Sequence, residues 1–337
     1  MSSALNLFAI FGLACLGAAP ACAAEAFVSN EKGNNVSVVD TETYAVVKTI
    51  ATGQRPRGIV ANKEGDKIYV ALGDANSIAV IDVKSKKVVD EFDAGKDPER
   101  LEFSPDGKTL FVTNEDPNMV GFIDVAAQKV VGFTRVGVEP EGLAVSPDGK
   151  IVVGTSETTN MAHFIDTATK KTVANVLVPA RPRMAAFSPD GGEVWVTSEV
   201  GGGVSVIDAA THKIVGHVGF EVAGLRSENI QPVGVNFTRD GKLAFVSLGP
   251  ANRIAVVDVK TRQVEKYLLV GQRVWHGGFT PDDKYFLSVN GVSNDVSIID
   301  VGALKVVKSV QVGESPWDVA IVPGAKVLGA KVLGAKP

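Results

Sequence analysis

Seven dipeptides stand at one phase of this chain, and they carry the residue types that hold and orient a charged ligand. They are Arg57-Gly58, Glu99-Arg100, Glu141-Gly142, Arg183-Met184, Val233-Gly234, Trp275-His276 and Trp317-Asp318. Proline precedes them at 56, 98, 140, 182, 232 and 316, and Val274 stands in its place before Trp275. The frame is constant while the contents vary. That is the pattern of loops that bind on a scaffold that repeats. A planar guanidinium forks two bonds onto one carboxylate, so Arg57, Arg100 and Arg183 read as holders of a small anion. Trp275 and Trp317 offer stacking faces. Glu99, Glu141, His276 and Asp318 complete the set as groups that orient the ligand. A secondary rim of Glu31, Glu115, Glu157 and Glu199 follows the neighbouring strands.

Two other chemistries compete for these residues. Arginine and glutamate on one rim can neutralise each other as solvated pairs, each worth little. Alternatively, the carboxylates can hold a metal for a lactonase-like hydrolysis, with no catalytic residue assigned. The histidines give that second reading little support. His163, His212 and His217 fall on strand or turn positions, and only His276 belongs to the rim. Metal-binding His-Glu-x-x-His and EF-hand patterns do not occur, and neither does a Gly-x-Ser-x-Gly nucleophile elbow. Gly201-Gly-Gly203 reads as a hairpin, not as a phosphate cradle.

The elements that must position these groups are set by a second landmark, an apolar run ending in aspartate. It falls at Asp40, Asp82, Asp124, Asp166, Asp208, Asp258 and Asp300, with successive spacings of 42, 42, 42, 42, 50 and 42. A period near 40 with strand-like content is the signature of propeller blades. Within one period, Glu141–Ser146, Ile151–Ser156, Ala162–Asp166 and Thr172–Leu177 read as four antiparallel strands. Ser-Pro-Asp-Gly supplies one turn, and aspartate followed by x-x-Thr caps another. The predicted fold is all-β, a seven-bladed propeller over 25–323. Its last blade takes an innermost strand from Pro316–Val322 and three strands from the segment beginning at Ala26–Glu31. The eight extra residues in the one long spacing fall between His217 and Pro232, on the face of the rim, where they would make a partial lid.

The chain has 337 residues, 45% hydrophobic and 21% charged, with a formal net charge of −4. This is a globular composition. It lacks the basic surplus of a nucleic-acid binder. Residues 1–24 hold no charged side chain, and an apolar run there leads into Gly-Ala-Ala-Pro-Ala-Cys-Ala-Ala. They read as a cleaved secretory signal, which places the mature chain in the periplasm and off the membrane. Both cysteines, Cys15 and Cys22, would leave with it, excluding a disulfide framework and a Cys-ligated group. The stretch 324–337 is a low-complexity tail with a period of five residues.

Leu110-Phe-Val-Thr-Asn114 resembles the YVTN β-propeller repeat. Ser156–Thr167, Gly249–Asp258, Val264–Trp275 and Asn290–Asp300 resemble more specific stretches of the PQQ-dependent catabolism-associated β-propeller proteins. These are exported bacterial proteins encoded near quinoprotein alcohol-oxidation systems. The resemblance implies a non-enzymatic accessory or binding protein of periplasmic alcohol oxidation. It implies association with PQQ, no covalently bound cofactor, and a quinoprotein dehydrogenase or cytochrome c as partner. It supplies no catalytic residues.

Overall fold

A computed structural model describes residues 24–324; residues 1–23 of the proposed signal and most of the tail lie outside that range. Seven four-stranded antiparallel sheets form the blades of a propeller. Blades 1 to 4 cover 56–93, 98–135, 140–177 and 182–219, blade 5 covers 235–269 and blade 6 covers 274–311. Blade 7 joins Pro316–Pro323 to Ala24–Asn30, with Val28 opposite Val319 and Ser29 opposite Asp318. The ring therefore closes as the repeat predicts. Each end of the chain covers an edge that the other would leave open.

Strand composition follows from position. Second and third strands, such as Ile151–Ser156 and Met161–Asp166, are buried over nearly their whole length because neighbouring blades cover both faces. Outermost strands such as Lys171–Leu177 alternate or are exposed. The blade boundaries are filled by Val, Ile, Leu and aromatic side chains. One such cluster gathers Trp195, Val204, Val206, Val246 and Leu248 between blades 4 and 5.

The landmark aspartates act as turn caps. Asp166 Oδ1 accepts the Thr169 amide at 2.7 Å and its hydroxyl at 2.7 Å. Asp82, Asp208 and Asp258 repeat both bonds with Ser85, Thr211 and Thr261. The insertion holds a single 3₁₀ turn, Ser227–Asn229, and shortens the innermost strand of blade 5 to Val235–Phe237. Phe220 and Ile230 anchor it in the cluster between blades 4 and 5. It reaches the rim through Gln231, whose Oε1 accepts from Arg273 Nη1 at 3.1 Å.

Candidate functional site: the mouth of the channel

A β-bulge presents most of these dipeptides. Pro140 pairs with Ser156 and Leu143 with Gly154, so Glu141 and Gly142 together oppose the single residue Thr155. The same shift follows Pro56, Pro98, Pro182 and Val274. A bulge leaves backbone groups unpaired and re-aims side chains. In several blades, a hydroxyl fills the gap. Thr155 Oγ1 accepts the Gly142 amide at 2.9 Å and donates across the blade boundary to the Arg183 carbonyl at 2.9 Å. Thr113 links Arg100 to Glu141, Thr197 links Met184 to Val233, and Ser29 links Asp318 to Arg57. Neighbouring innermost strands are thereby locked together at the mouth. The fit is tight: a Cβ on Gly142 would lie 2.1 Å from the Arg183 carbonyl oxygen, and one on Gly58 2.5 Å from that of Glu99.

The expected rim residues meet in two ion-pair groups. In the first, Arg57 Nε lies 2.9 Å from Glu99 Oε2 and 3.6 Å from Glu31. Arg55 joins it, with Nη2 2.6 Å from Glu99 Oε1 and 3.7 Å from Glu115, and it also bonds Asp97. In the second, Arg183 Nη2 lies 2.8 Å from Glu141, and Nη1 bonds Glu157. Arg181 joins Glu157 at 2.7 Å to Glu199 at 3.1 Å, and Arg273 reaches Glu199 at 2.6 Å. Between the groups, Arg100 Nη1 bonds Asp318 Oδ2 at 2.7 Å. Arg183 and Arg273 lie 5.4 and 4.1 Å from the Trp275 ring, and Arg57 lies 4.9 Å from Trp317. The Trp317 and His276 rings are 4.5 Å apart.

Unlike solvated rim pairs, the inner members of these groups are buried, while Arg181 is half exposed. Glu99 is 0% exposed and Arg183 4%. Burial pushes Glu99 well above the usual carboxylate range, against the pull of Arg57 and Arg55. Burial also raises Glu157, to about 7, with Arg183 opposing. At Glu141 burial acts in the same direction, but four arginines outweigh it and hold the carboxyl low. Burial drives His276 well below the ordinary imidazole value, and Arg100, Arg183 and Arg57 reinforce it, so the ring is neutral.

The residue before Pro56, Pro98, Pro140, Pro182 and Val274 belongs to the site and was not anticipated from the sequence. Arg55, Asp97, Glu139, Arg181 and Arg273 all hold left-handed backbone, with φ between 47° and 58°. Non-glycine residues rarely adopt that region, yet the turns after the landmark aspartates hold it as well, at Lys86, Gln128, Lys170 and His212 among others. An asparagine from the preceding blade fixes each of the mouth residues. Asn34, Asn76, Asn118, Asn160 and Asn252 accept their amides at 2.8–3.0 Å. The signal was present as asparagine recurring at the 42-residue period.

Among the described residues, Asp97, Glu99 and Glu115 place carboxylate oxygens within 4.8 Å of one another, a spacing that suits a cation. The Arg55 guanidinium already bonds two of them. Away from the mouth, Ser156, His163 and Asn175 line up like a catalytic triad, with contacts of 3.1 and 2.6 Å. Ser156 is fully buried, however, and His163 Nε2 accepts the Gly137 amide at 3.0 Å. In blade 7, Ser37 accepts the Gly313 amide in the equivalent way. His163 is thus a structural acceptor, as its strand position suggested. His212 packs on Phe164, and His217 bonds the Val204 carbonyl.

The choice-of-anchor I domain model matches residues 116–284, half of the chain. The chain belongs to the choice-of-anchor I domain family. A YNCE-like beta-propeller model also matches residues 61–149. No curated protein sequence matches. Kuenenia stuttgartiensis hydrazine synthase is 22% identical, covering 82% of this chain and 92% of that one, with a TM-score of 0.75. A functionally unknown protein from Desulfotomaculum acetoxidans is 15% identical over 88% and 98%, with a TM-score of 0.76. A protein assigned as a 6-phosphogluconolactonase from Bacteroides uniformis is 15% identical over 90% and 100%, with a TM-score of 0.75. Likeness at these identities speaks to the propeller alone. Among the described residues, no helix is long and apolar enough to cross a membrane.

Proposed function

We propose that the chain is an exported, non-enzymatic binding propeller that acts beside periplasmic PQQ-dependent alcohol oxidation. Its mouth takes a small anionic ligand or a partner protein of that system, a quinoprotein dehydrogenase or a cytochrome c. The link to the quinone system rests on the resemblance of the four specific stretches. The placing of the site rests on one observation: charged and aromatic residues from nearly every blade converge, many of them buried, at one end of the channel. Trp275, with the Arg183 and Arg273 guanidinium groups 5.4 and 4.1 Å from its ring, suits a flat, anionic ligand. The rim arginines are already paired with carboxylates, so binding at the rim proceeds by exchange of partners.

Calorimetric titration of the purified chain with PQQ, and co-elution with a PQQ-dependent dehydrogenase or its cytochrome, tests this reading. Trp275→Ala is expected to weaken quinone binding tenfold or more. The reading fails if neither the quinone nor either protein binds. A metal-assisted hydrolase is the second reading, favoured by the Asp97, Glu99 and Glu115 cluster. It requires a cation to displace Arg55, and chelator-sensitive lactone turnover would establish it.

A further inference from the structure

One position further along each innermost strand stand Gly58, Arg100, Gly142, Met184, Gly234, His276 and Asp318. Small and large side chains alternate around this ring. An odd ring cannot alternate throughout, and the break falls where His276 and Asp318 are neighbours. Arg100, in blade 2, reaches Asp318 in blade 7 past Gly58 of the blade between them.

The break leaves polar atoms without partners. Trp317 is 1% exposed and His276 3%, yet Trp317 Nε1 and His276 Nε2 make no hydrogen bond among the described residues. Arg100 Nε is likewise buried and unbonded. A buried polar group left without a partner destabilises the fold, so this wall calls for an occupant. Trp317 Nε1 and Arg100 Nε are both N–H donors, so the occupant brings acceptors. His276 Nε2 meets it as donor or acceptor according to tautomer. Asp318 and Glu102, the charged neighbours of Arg100, repel a multiply charged ion.

We propose that the break in the ring is a binding site for one small monocarboxylate, held by the Trp317 indole N–H and Arg100 Nε–H beside His276. This deepens the binding-face reading of the mouth and rests on it. A carboxylate supplies two acceptor oxygens and brings no proton that needs a partner, which a water would.

The test titrates the full chain with acetate at constant ionic strength, with sulfate as comparator, following the indole N–H resonances of the three tryptophans. Trp195, whose Nε1 bonds Glu193 at 2.9 Å, serves as internal reference. The Trp317 resonance is expected to move saturably with acetate and not with sulfate. By calorimetry, Trp317→Phe should lower acetate affinity tenfold or more, and Arg100→Lys, which keeps a charge for Asp318 but removes Nε, severalfold. The proposal is overturned if no indole moves, if only Trp275 moves, or if sulfate acts equally. The wild-type resonances decide the matter even where a variant fails to fold. Acetate binding without PQQ binding would leave this site standing and remove the quinone-linked function. PQQ binding with an unmoved Trp317 would do the reverse.

Discussion

The two ends of the channel are built from the same repeat and obey different rules. At the turn end, most aspartates bond residues close by in sequence. Asp148 Oδ1 accepts from Ser146 Oγ and the Lys150 amide, and the arrangement recurs at Asp106 and Asp240. At the mouth, charges meet partners from other blades: Arg100 and Asp318 are 218 residues apart, Arg273 and Glu199 are 74. Local bonds make one end uniform and tolerant. Long-range bonds make the other end varied and brittle, because each charge depends on the ring being closed.

The largest break in this contrast is expected from Arg183→Met. It leaves Glu141 and Glu157 buried without their main counter-charge, and urea unfolding should show a loss of about 3–5 kcal/mol. Next comes Gly142→Ala, whose methyl meets the Arg183 carbonyl oxygen. Overpacking of this kind costs about 1–3 kcal/mol, and thermal unfolding should read it as a lowered Tm.

A pH series sharpens the comparison. Burial raises Glu102 to about 7, with Arg100 opposing. A carboxyl raised by folding stabilises the native state fully below its unfolded value of about 4.5 and loses that contribution as pH rises through about 7. Glu102→Gln should therefore flatten the decline in urea midpoint between pH 5 and 8. At the turn end, Asp166→Ala removes two cap bonds, for a loss of about 1 kcal/mol by the same unfolding assay. Smallest of all, Lys150→Ala breaks the exposed pair with Asp148 and should shift stability by no more than about 0.5 kcal/mol.

The same contrast explains what could be read from residues alone. The aspartate landmarks and the strand order could be read because each is decided within a few residues, down to a blade shared by Val28 and Val319. Inner strand limits differ by one residue: Pro140–Val145 stands where Glu141–Ser146 was expected. The mouth was legible as a set of positions, since Arg57, Glu99, Glu141, Arg183, Trp275 and Trp317 do gather there. Their pairing was not, because nothing local says that Arg183 faces Glu141 and Glu157 instead of a ligand. Arg55, Arg181 and Arg273 escaped for a related reason. Their left-handed backbone is imposed by asparagines one blade away, not by their own residue type. The insertion was placed on the correct face, but its anchoring through Phe220 and Ile230 depends on a cluster assembled from two blades.

Because blade 7 borrows its innermost strand from Pro316–Pro323, the wheel stays unlatched until that strand has left the ribosome. Until then the sheet that starts at Ala24 waits with a bare inner edge, and the Arg100–Asp318 bond across the axle cannot form. A stop codon before Pro316 would cost far more than eight residues: it would leave an open arc, with a sticky flank at either end.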